Sequence, residues 1–362
     1  MNYRVSQIQT LVTLTDNKTD VYEIRVKEPI SRITISLRGT NADSVPDGHP
    51  AKAISKIELV DGSEVLYSLS GEQAQAVDFY DTGKTPLNVV SFVNANIWTC
   101  LINMNFGRHL WDTQLALDPK KFKNLQLKVT HKVADTAGSG TTSTTSTITI
   151  YAHVFDEKAV SPTGFLMNKE IFAYVIGAQN SYKEIELPTD YVYRRMMMQA
   201  LYVGQDIGTI INQFRISEDN DKRIPFDIKV SDHLKMIAPE YGKWEEAIVC
   251  ANTGSAVAFY TAIDYEYAMG HLGTVDVDTT QQLNAYPIGG RFYLTGAGAS
   301  EAVINFEGYA PHGCVPIFCG QQEDIADWYD VRKIGSLVAR FKAGSHAGTS
   351  TARMIIQQLR TY

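Results

Sequence analysis

The sequence has few cysteines and no segment that marks a protein for secretion. Only 4 cysteines occur in 362 residues, whereas small secreted domains held by disulfides carry a much higher density. We therefore expect free, buried thiols and folding in a reducing compartment. Residues 1–7 contain a single arginine and lead into no apolar core, so a secretory signal is not expected. The cysteines are Cys100, Cys250, Cys314 and Cys319.

Basic residues and long apolar runs are also scarce. Lysine plus arginine number 33 against 40 aspartates plus glutamates, a formal net charge of −7, and the one dense basic run is residues 120–123. Coating nucleic acid requires a basic stripe or arm, so we predict no direct sequence-specific nucleic-acid binding. The least charged stretch, residues 247–263, is interrupted by polar residues 252–255, which predicts two strands and a turn instead of a membrane span.

What the sequence does contain is alternation of apolar and polar residues at period two. It recurs in residues 33–37, 54–59, 125–129 and 147–151, as expected of half-buried strands. Short helices are predicted where Ser70 precedes Gln73 in a capping-box pattern, at Ser231, and over residues 323–329. The fold class is therefore all-β with a few short helices, and Rossmann folds and α/β barrels are disfavoured.

The chain carries one β-module twice. Residues 23–26 (Glu-Ile-Arg-Val) resemble residues 184–187 (Glu-Ile-Glu-Leu) at an offset of 161, and residues 32–35 resemble residues 195–198. The segment that begins at Ile54 consists of a strand, an acidic turn and a second strand, and the same pattern begins again at Ile211. Residues 118–125 match residues 330–337 at an offset of 212, each beginning with Asp and ending with Leu. A repeat of this kind predicts two similar folding units.

The two offsets differ by 51 residues, which places an insertion in the second copy between Ser231 and Asp330. We predict an N-terminal unit over 1–160 and a C-terminal unit over 161–362, with longer loops between 232 and 329. Loop candidates there are residues 270–273, Gly289-Gly290 and residues 296–299. Long loops on a β-sandwich are common sites of recognition.

Two consecutive eight-stranded modules of this size resemble the double jelly-roll major capsid proteins of tailless icosahedral viruses, the lineage that includes adenovirus hexon. The residues that carry the resemblance are the hairpin over 54–68 with Asp61-Gly62 at its turn, its counterpart over 211–228, and the terminal hairpins after Asp118 and Asp330. The resemblance extends over most of the chain as a pattern, and a bacteriophage is the expected source.

The resemblance implies a structural protein and not an enzyme. Members of this family form homotrimers of pseudo-hexagonal outline that tile an icosahedral virion capsid beside neighbouring trimers, penton proteins and minor capsid proteins. Many enclose an internal viral membrane. The implied localisation is the virion, after synthesis in the host cytoplasm. The termini are expected toward the capsid interior and the 51-residue excess toward the outer surface.

Candidate sites for chemistry are few, and we predict no catalytic, cofactor-binding or metal-binding residue. His312, Cys314 and Cys319 offer three metal ligands in eight residues, but they lack a fourth and flank an apolar segment. Acidic runs at residues 218–221 and 276–278 favour solvated turns over Ca²⁺ sites. Asn17-Lys18-Thr19 matches the pattern of an N-glycosylation acceptor. Because no secretory signal is expected, we interpret this match as incidental. Arg194-Arg195 fits either a partner contact or, by preference, the start of a core strand.

Two other functions remain as alternatives. A glycan-processing hydrolase or carbohydrate-binding protein with two jelly rolls would need convergent carboxylates or a triad in a cleft. A viral spike or attachment protein would share the β-rich composition.

Overall fold

The computed structural model describes residues 1–15, 17–41, 47–133, 146–202, 204–251, 257–264, 269–274, 282–295, 301–346 and 350–362. Within these ranges most of the secondary structure is β-strand. The first half contributes nine strands: β1 Tyr3–Thr13, β2 Lys18–Glu23, β3 Ile30–Thr40, β4 Ile54–Asp61, β5 Glu64–Leu69, β6 Val90–Ser91, β7 Ile97–Asn105, β8 Leu125–His131 and β9 Thr147–Phe155.

The second half contains a matching set of strands and an additional group. The matching strands are β10 Gly164–Val175, β11 Tyr182–Glu186, β12 Val192–Ala200, β13 Ile211–Glu218, β14 Arg223–Lys229, β21 Cys314–Phe318, β22 Leu337–Ala343 and β23 Thr351–Thr361. The additional strands are β15 Trp244–Ala251, β16 Val257–Tyr260, β17 Met269–Thr274, β18 Gln282–Ile288, β19 Arg291–Thr295 and β20 Glu301–Gly308. The helices are α1 Gly71–Thr82, α2 Ile207–Ile210 and α3 Val230–Tyr241.

Each half forms a sandwich with the same strand order. The sheets β1-β9-β3-β7 and β2-β8-β4-β5 in the first half correspond to β10-β23-β12-β21 and β11-β22-β13-β14 in the second. The eight long strands of each half can be numbered in chain order, with the short β6 and the insertion strands left out. In both halves one sheet then has the order 1-8-3-6 and the facing sheet has the order 2-7-4-5, which is the arrangement of a jelly roll. We call the two sandwiches roll 1 and roll 2, and the predicted fold class is confirmed.

The two rolls share one continuous sheet. Strand β5 at the edge of roll 1 lies parallel to β10 of roll 2, with Ser68 opposite Lys169, so the second sheet of roll 1 and the first sheet of roll 2 join into eight strands. The boundaries of the two folding units, 1–160 and 161–362, stay a prediction.

Strand pairing shows how the repeat aligns. Ile24 and Leu187 donate their backbone N–H groups to Leu125 and Leu337, the first residues of β8 and β22. The offset at this strand is therefore 187 − 24 = 163, and the predicted pairing of Glu23 with Glu184 is wrong by two residues. Because side chains alternate across a strand, a slip of two keeps every residue on its face and cannot be detected from the apolar pattern.

Two other alignments are confirmed by the register. Arg32 follows a bulge in β3 and lies opposite His153, while Arg195 follows a bulge in β12 and lies opposite Gln357. Strands β8 and β22 begin at Leu125 and Leu337, which agrees with the predicted offset of 212.

The predicted helices have mixed outcomes. The side chain of Ser70 accepts from the Gln73 N–H at 3.2 Å and Gln73 accepts from the Ser70 N–H at 2.9 Å, so the capping box before α1 is confirmed. Helix α3 begins at Val230 after Lys229, with no side-chain cap. Ser231 therefore lies inside the first turn, and its predicted capping role is wrong. Residues 323–329 contain only the 3₁₀ turn Ile325–Asp327.

The insertion contributes strands to two small sheets. One is β17-β20-β15, extended by β6 of the first half, and the other is β16-β19-β18. Residues 270–273, predicted as a loop, lie in β17, where glycine is tolerated because the strand pairs with β20. Gly289-Gly290 is a turn with φ of 63° and 69°. The predicted turn at 252–255, the predicted loop at 296–299 and the acidic run 276–278 lie outside the described residues.

The insertion belongs to the core of roll 1 although it follows roll 2 strands in sequence. Trp244, Ile248 and Phe306 are buried in the same apolar cluster as Ile33 and Trp98 of roll 1, whereas roll 2 has a second cluster around Phe214 and Phe341. Among the described helices, none is long and apolar enough to cross a membrane.

Candidate functional site

The residues proposed as metal ligands do not converge. The imidazole Nε2 of His312 lies 3.0 Å from Gln75 Oε1, and the thiols of Cys314 and Cys319 face the carbonyls of His312 and Ile317 at 3.8 and 3.9 Å. No group of three His, Cys, Asp or Glu side chains in the described ranges could hold a metal ion. Cys314 begins β21, the buried strand that the sequence predicts.

The acidic run 218–221 forms a turn whose carboxylates bind protein groups. Glu218 pairs with Arg223 at 2.8 Å and accepts from the Tyr329 hydroxyl. Asp219 accepts from backbone N–H groups, and Asp221 pairs with Arg215 at 2.9 Å. One oxygen of each of these carboxylates is therefore bound to a protein group.

Asn17 lies at a positive φ of 53° in the turn before β2. Nothing in its surroundings points to a modification.

Arg194 and Arg195 lie in β12, as the sequence predicts, and they also join the rolls. Both side chains are 1% exposed and both bind Asp81 of α1, Arg194 through Nη1 at 2.5 Å. Gln357 of β23 accepts from both guanidinium groups at 3.1 and 3.2 Å. Two cations therefore surround one buried carboxylate. Burial, together with the like charge of Arg194, outweighs the opposing effect of Asp81 and lowers the pKa of Arg195.

A buried hydrogen bond between a histidine and a carboxylate connects roll 1 to the insertion. His49 Nε2 lies 2.7 Å from Glu246 Oε1, with both side chains less than 5% exposed. His49 Nδ1 accepts from the Ala51 N–H, so Nε2 carries the proton that faces the carboxylate. The other oxygen of Glu246 accepts from Thr261 and Ala262 at 2.9 and 3.1 Å. Residues 197 positions apart form this pair, and no local motif in the sequence marks it.

Helix α1 is the element on which these contacts depend. Its Gln73 donates to Glu170 and, at 2.9 Å, to Gln199 of roll 2, while Gln75 binds His312. Asp78 accepts from Asn103 and Asn105 of β7 at 2.9 and 2.7 Å. The helix therefore occupies the angle between the rolls and hydrogen-bonds to both.

A surface groove of about 720 Å³ lies between β1 and β2 at the open edge of roll 1. Its acidic residues are paired: Glu23 with Arg25 at 2.9 Å and Glu28 with Arg4 at 3.3 Å. Both carboxylates that line the groove therefore have an arginine partner.

The termini and the insertion lie at opposite ends of β3. At the start of β3, Ile30 is hydrogen-bonded to the backbone of Leu117, and the neighbouring Ala116 carbonyl accepts from the Tyr362 hydroxyl at 2.7 Å. The N-terminus lies nearby, where the Asn2 carbonyl accepts from the Asp156 N–H. At the other end of β3, Asn41 donates to Ser91 at 2.6 Å, and the next residue, Phe92, bonds to Val249 of the insertion. An eleven-residue strand spans about 35 Å, which separates these two ends of the molecule.

Comparison with known proteins finds relatives by structure alone. No protein-family model matches the sequence, and no curated protein matches it. The major capsid protein of Sulfolobus turreted icosahedral virus superimposes with a TM-score of 0.63 at 11% identity, covering 99% of this chain and 98% of that one. The major capsid protein P2 of bacteriophage PM2 gives 0.56 at 10% identity, with the same coverage.

A third match is the PBCV-1 virus capsid, with a TM-score of 0.60 at 9% identity, covering 99% of this chain and 94% of that one. These structures are double jelly-roll major capsid proteins. The class defined by strand order and by nearly complete coverage is therefore the double jelly-roll fold, which the described part of this chain adopts. The predicted resemblance is confirmed at the level of the fold.

Proposed function

We propose that the protein is a major capsid subunit of an icosahedral virus. The observation that carries the proposal is the match of both rolls, in one chain and in the same order, to capsid proteins of nearly equal length. The carboxylates in the groove between β1 and β2 are paired with arginines, which fits a role in assembly.

Three copies with two rolls each form a pseudo-hexagonal homotrimer, which tiles the shell beside other trimers, penton proteins and minor capsid proteins. The chain acts in the virion capsid after synthesis in the host cytoplasm, and the shell encloses an internal membrane. The separation of the termini from the insertion by the length of β3 supports the expectation that the termini face inward and the insertion outward.

Electron microscopy and light scattering test this proposal together. The purified protein is expected to have the mass of three chains at micromolar concentration and to show hexagonal outlines. A strictly monomeric mass under the same conditions would refute the trimer, and hydrolysis of a glycan that depends on a cleft carboxylate would replace the structural role by an enzymatic one.

A further inference from the structure

The outer face of one sheet in roll 2 places two arginines directly opposite each other. Arg215 of β13 and Arg340 of β22 are partners in the register of this antiparallel pair, and the side chains of such partners lie on the same face of a sheet. Lys342 follows two positions after Arg340 and lies on that face as well. Like charges in directly opposite positions destabilise a sheet, so this group of three cations is unfavourable unless an anion offsets it.

Roll 1 has opposite charges at the equivalent positions. Strands β8 and β22 align at an offset of 212, which makes Lys128 the counterpart of Arg340. The residue opposite Lys128 is Glu58, so Glu58 is the counterpart of Arg215. The opposed pair of cations is therefore a property of roll 2 and does not follow from the fold that the two rolls share.

A cleft of about 80 Å³ lies over these cations. The strand register places the side chains that line it in two adjacent rows on one face of β11, β22, β13 and β14. Pockets for drug-sized molecules measure roughly 300–1,000 Å³, so this cleft suits a small ion. Its lining residues are Tyr182, Gln213, Arg215, Asp227, Arg340 and Lys342.

Two donor groups of the cleft remain available. The Nε atom of Arg215 is buried and has no hydrogen-bond partner among the described residues. Lys342 forms no ion pair within those residues, and its Nζ atom lies 5.8 Å from the centre of the Tyr182 ring. A buried donor without an acceptor is unfavourable. Both groups therefore point to a ligand that accepts hydrogen bonds.

The acidic residues near the cleft are bound at its edges. Asp221 pairs with Arg215 Nη2 at 2.9 Å, and Glu184 accepts from Arg340 Nε at 2.7 Å. These two carboxylate side chains are 46% and 55% exposed. Asp227 lies opposite Arg215 on the side of β14, and its carboxylate accepts from the glutamine of the cleft at 2.5 Å. Water weakens exposed ion pairs, so these acids neutralise the cleft only in part.

We propose that this cleft binds a small oxyanion with the chemistry of phosphate, held by Arg215, Arg340 and Lys342. Guanidinium and ammonium groups are common protein ligands of phosphate oxygens. The hydroxyl of Tyr182 and the amide of Gln213 line the same cleft and add neutral donors. The bound anion offsets the repulsion between the opposed arginines and stabilises roll 2. Inorganic phosphate and the phosphate group of a larger molecule share this chemistry.

Thermal unfolding tests the site with inorganic phosphate as the probe. At matched ionic strength and about pH 7.5, phosphate is expected to raise the melting temperature of the purified protein more than chloride does, because a ligand that binds only the folded state stabilises it. Isothermal titration calorimetry measures the dissociation constant of phosphate directly. Equal melting temperatures in phosphate and chloride, with no heat of binding, would overturn the proposal.

Single substitutions locate the site. Arg215→Gln and Lys342→Met are each expected to raise the dissociation constant of phosphate at least about tenfold, because each removes a charged donor. Lys128→Gln is the matched control, since Lys128 is the roll 1 counterpart of Arg340 and lies opposite Glu58. It is expected to leave the dissociation constant unchanged. An equal loss of affinity in the control would show binding through the overall charge and would overturn the site. Circular dichroism verifies that each variant folds.

Glycerol 3-phosphate distinguishes the two sources of the ligand. If this ester binds as tightly as inorganic phosphate does, the cleft accepts a phosphate group carried by a larger molecule. If only inorganic phosphate binds, the cleft takes up the free ion, and either result supports the site. The mass of the protein in solution tests the capsid role separately, so a failure to bind phosphate leaves that role standing.

Discussion

Asp61 and Asp219 occupy equivalent turns in the two rolls and make the same pair of hydrogen bonds. Asp61 Oδ1 accepts from the N–H groups of Lys123 and Asn124 at 3.1 and 2.6 Å. Asp219 Oδ1 accepts from Gly335 and Ser336 at 2.9 and 3.0 Å. In each roll one carboxylate therefore hydrogen-bonds the turn of a hairpin to the segment before a neighbouring strand. The hairpin is β4–β5 and the strand is β8 in roll 1, and the corresponding elements in roll 2 are β13–β14 and β22.

Replacing Asp219 by alanine is expected to destabilise roll 2 by about 1–2 kcal/mol, because two backbone donors lose a charged acceptor. Asp219→Asn keeps an oxygen acceptor and tolerates the positive φ of 46°. Chemical denaturation measures both changes. An asparagine variant as unstable as the alanine variant would mean that the acceptor is not the cause.

Removal of the charge of Asp81 is expected to cost about 3 kcal/mol or more, since Asp81→Asn leaves the buried Arg195 without a carboxylate partner. Arg194 then keeps only the exposed Glu323, 3.8 Å away. Glu184→Gln removes an exposed partner of Arg340 and is expected to change the free energy of unfolding little. Equal effects of the two substitutions in urea denaturation would contradict a structural role for the buried cluster.

Glu246 is expected to make stability depend on acid pH. Burial alone would raise its pKa, but His49 and the hydrogen bonds from Ala262 and Thr261 outweigh burial and hold the pKa below its ordinary value. The carboxylate therefore stabilises the fold fully above its unfolded pKa of about 4.3, and this contribution is lost as pH falls through the lower folded pKa. Denaturation of Glu246→Gln across this range should show a weaker acid dependence than the wild type does.

Asp264 is expected to act in the opposite direction. Burial, with Asp206 nearby, raises its pKa well above the ordinary value, and its Oδ1 has no hydrogen-bond partner in the described residues. Its contribution is fully present below the unfolded pKa of about 3.9 and is lost as pH rises through the higher folded pKa. Asp264→Asn should raise the melting temperature at pH 7 relative to wild type. A lower melting temperature at pH 7 would show that ionised Asp264 stabilises the fold.

The cysteines are expected to resist alkylation in the native protein. Burial raises the pKa of Cys250 and of Cys319 to about 12, so little thiolate forms at pH 8. Mass spectrometry after iodoacetamide treatment should find them unmodified until denaturant is added. Rapid native labelling of either thiol would show that its surroundings open readily.

Alternation of apolar and polar residues is enough to locate the strands and to show that they recur in the second half. Alternation placed Ile33, Ile35 and Leu37 on the buried face of β3, where they are fully buried, because side-chain period follows from backbone geometry alone. Local hydrogen bonding likewise explains why Ser70 and Gln73 marked the start of α1.

Only the tertiary structure decided which distant residues meet. His49 with Glu246, and Asp81 with Arg195, are joined by packing between elements far apart in the chain, for which no local preference exists. The two-residue error at Glu23 has the same origin, since pairing with β8 fixes that register and the alternation does not. The insertion packs on roll 1, where the apolar side chains around Trp244 are buried. Which roll the insertion contacts depends on the arrangement of the whole chain.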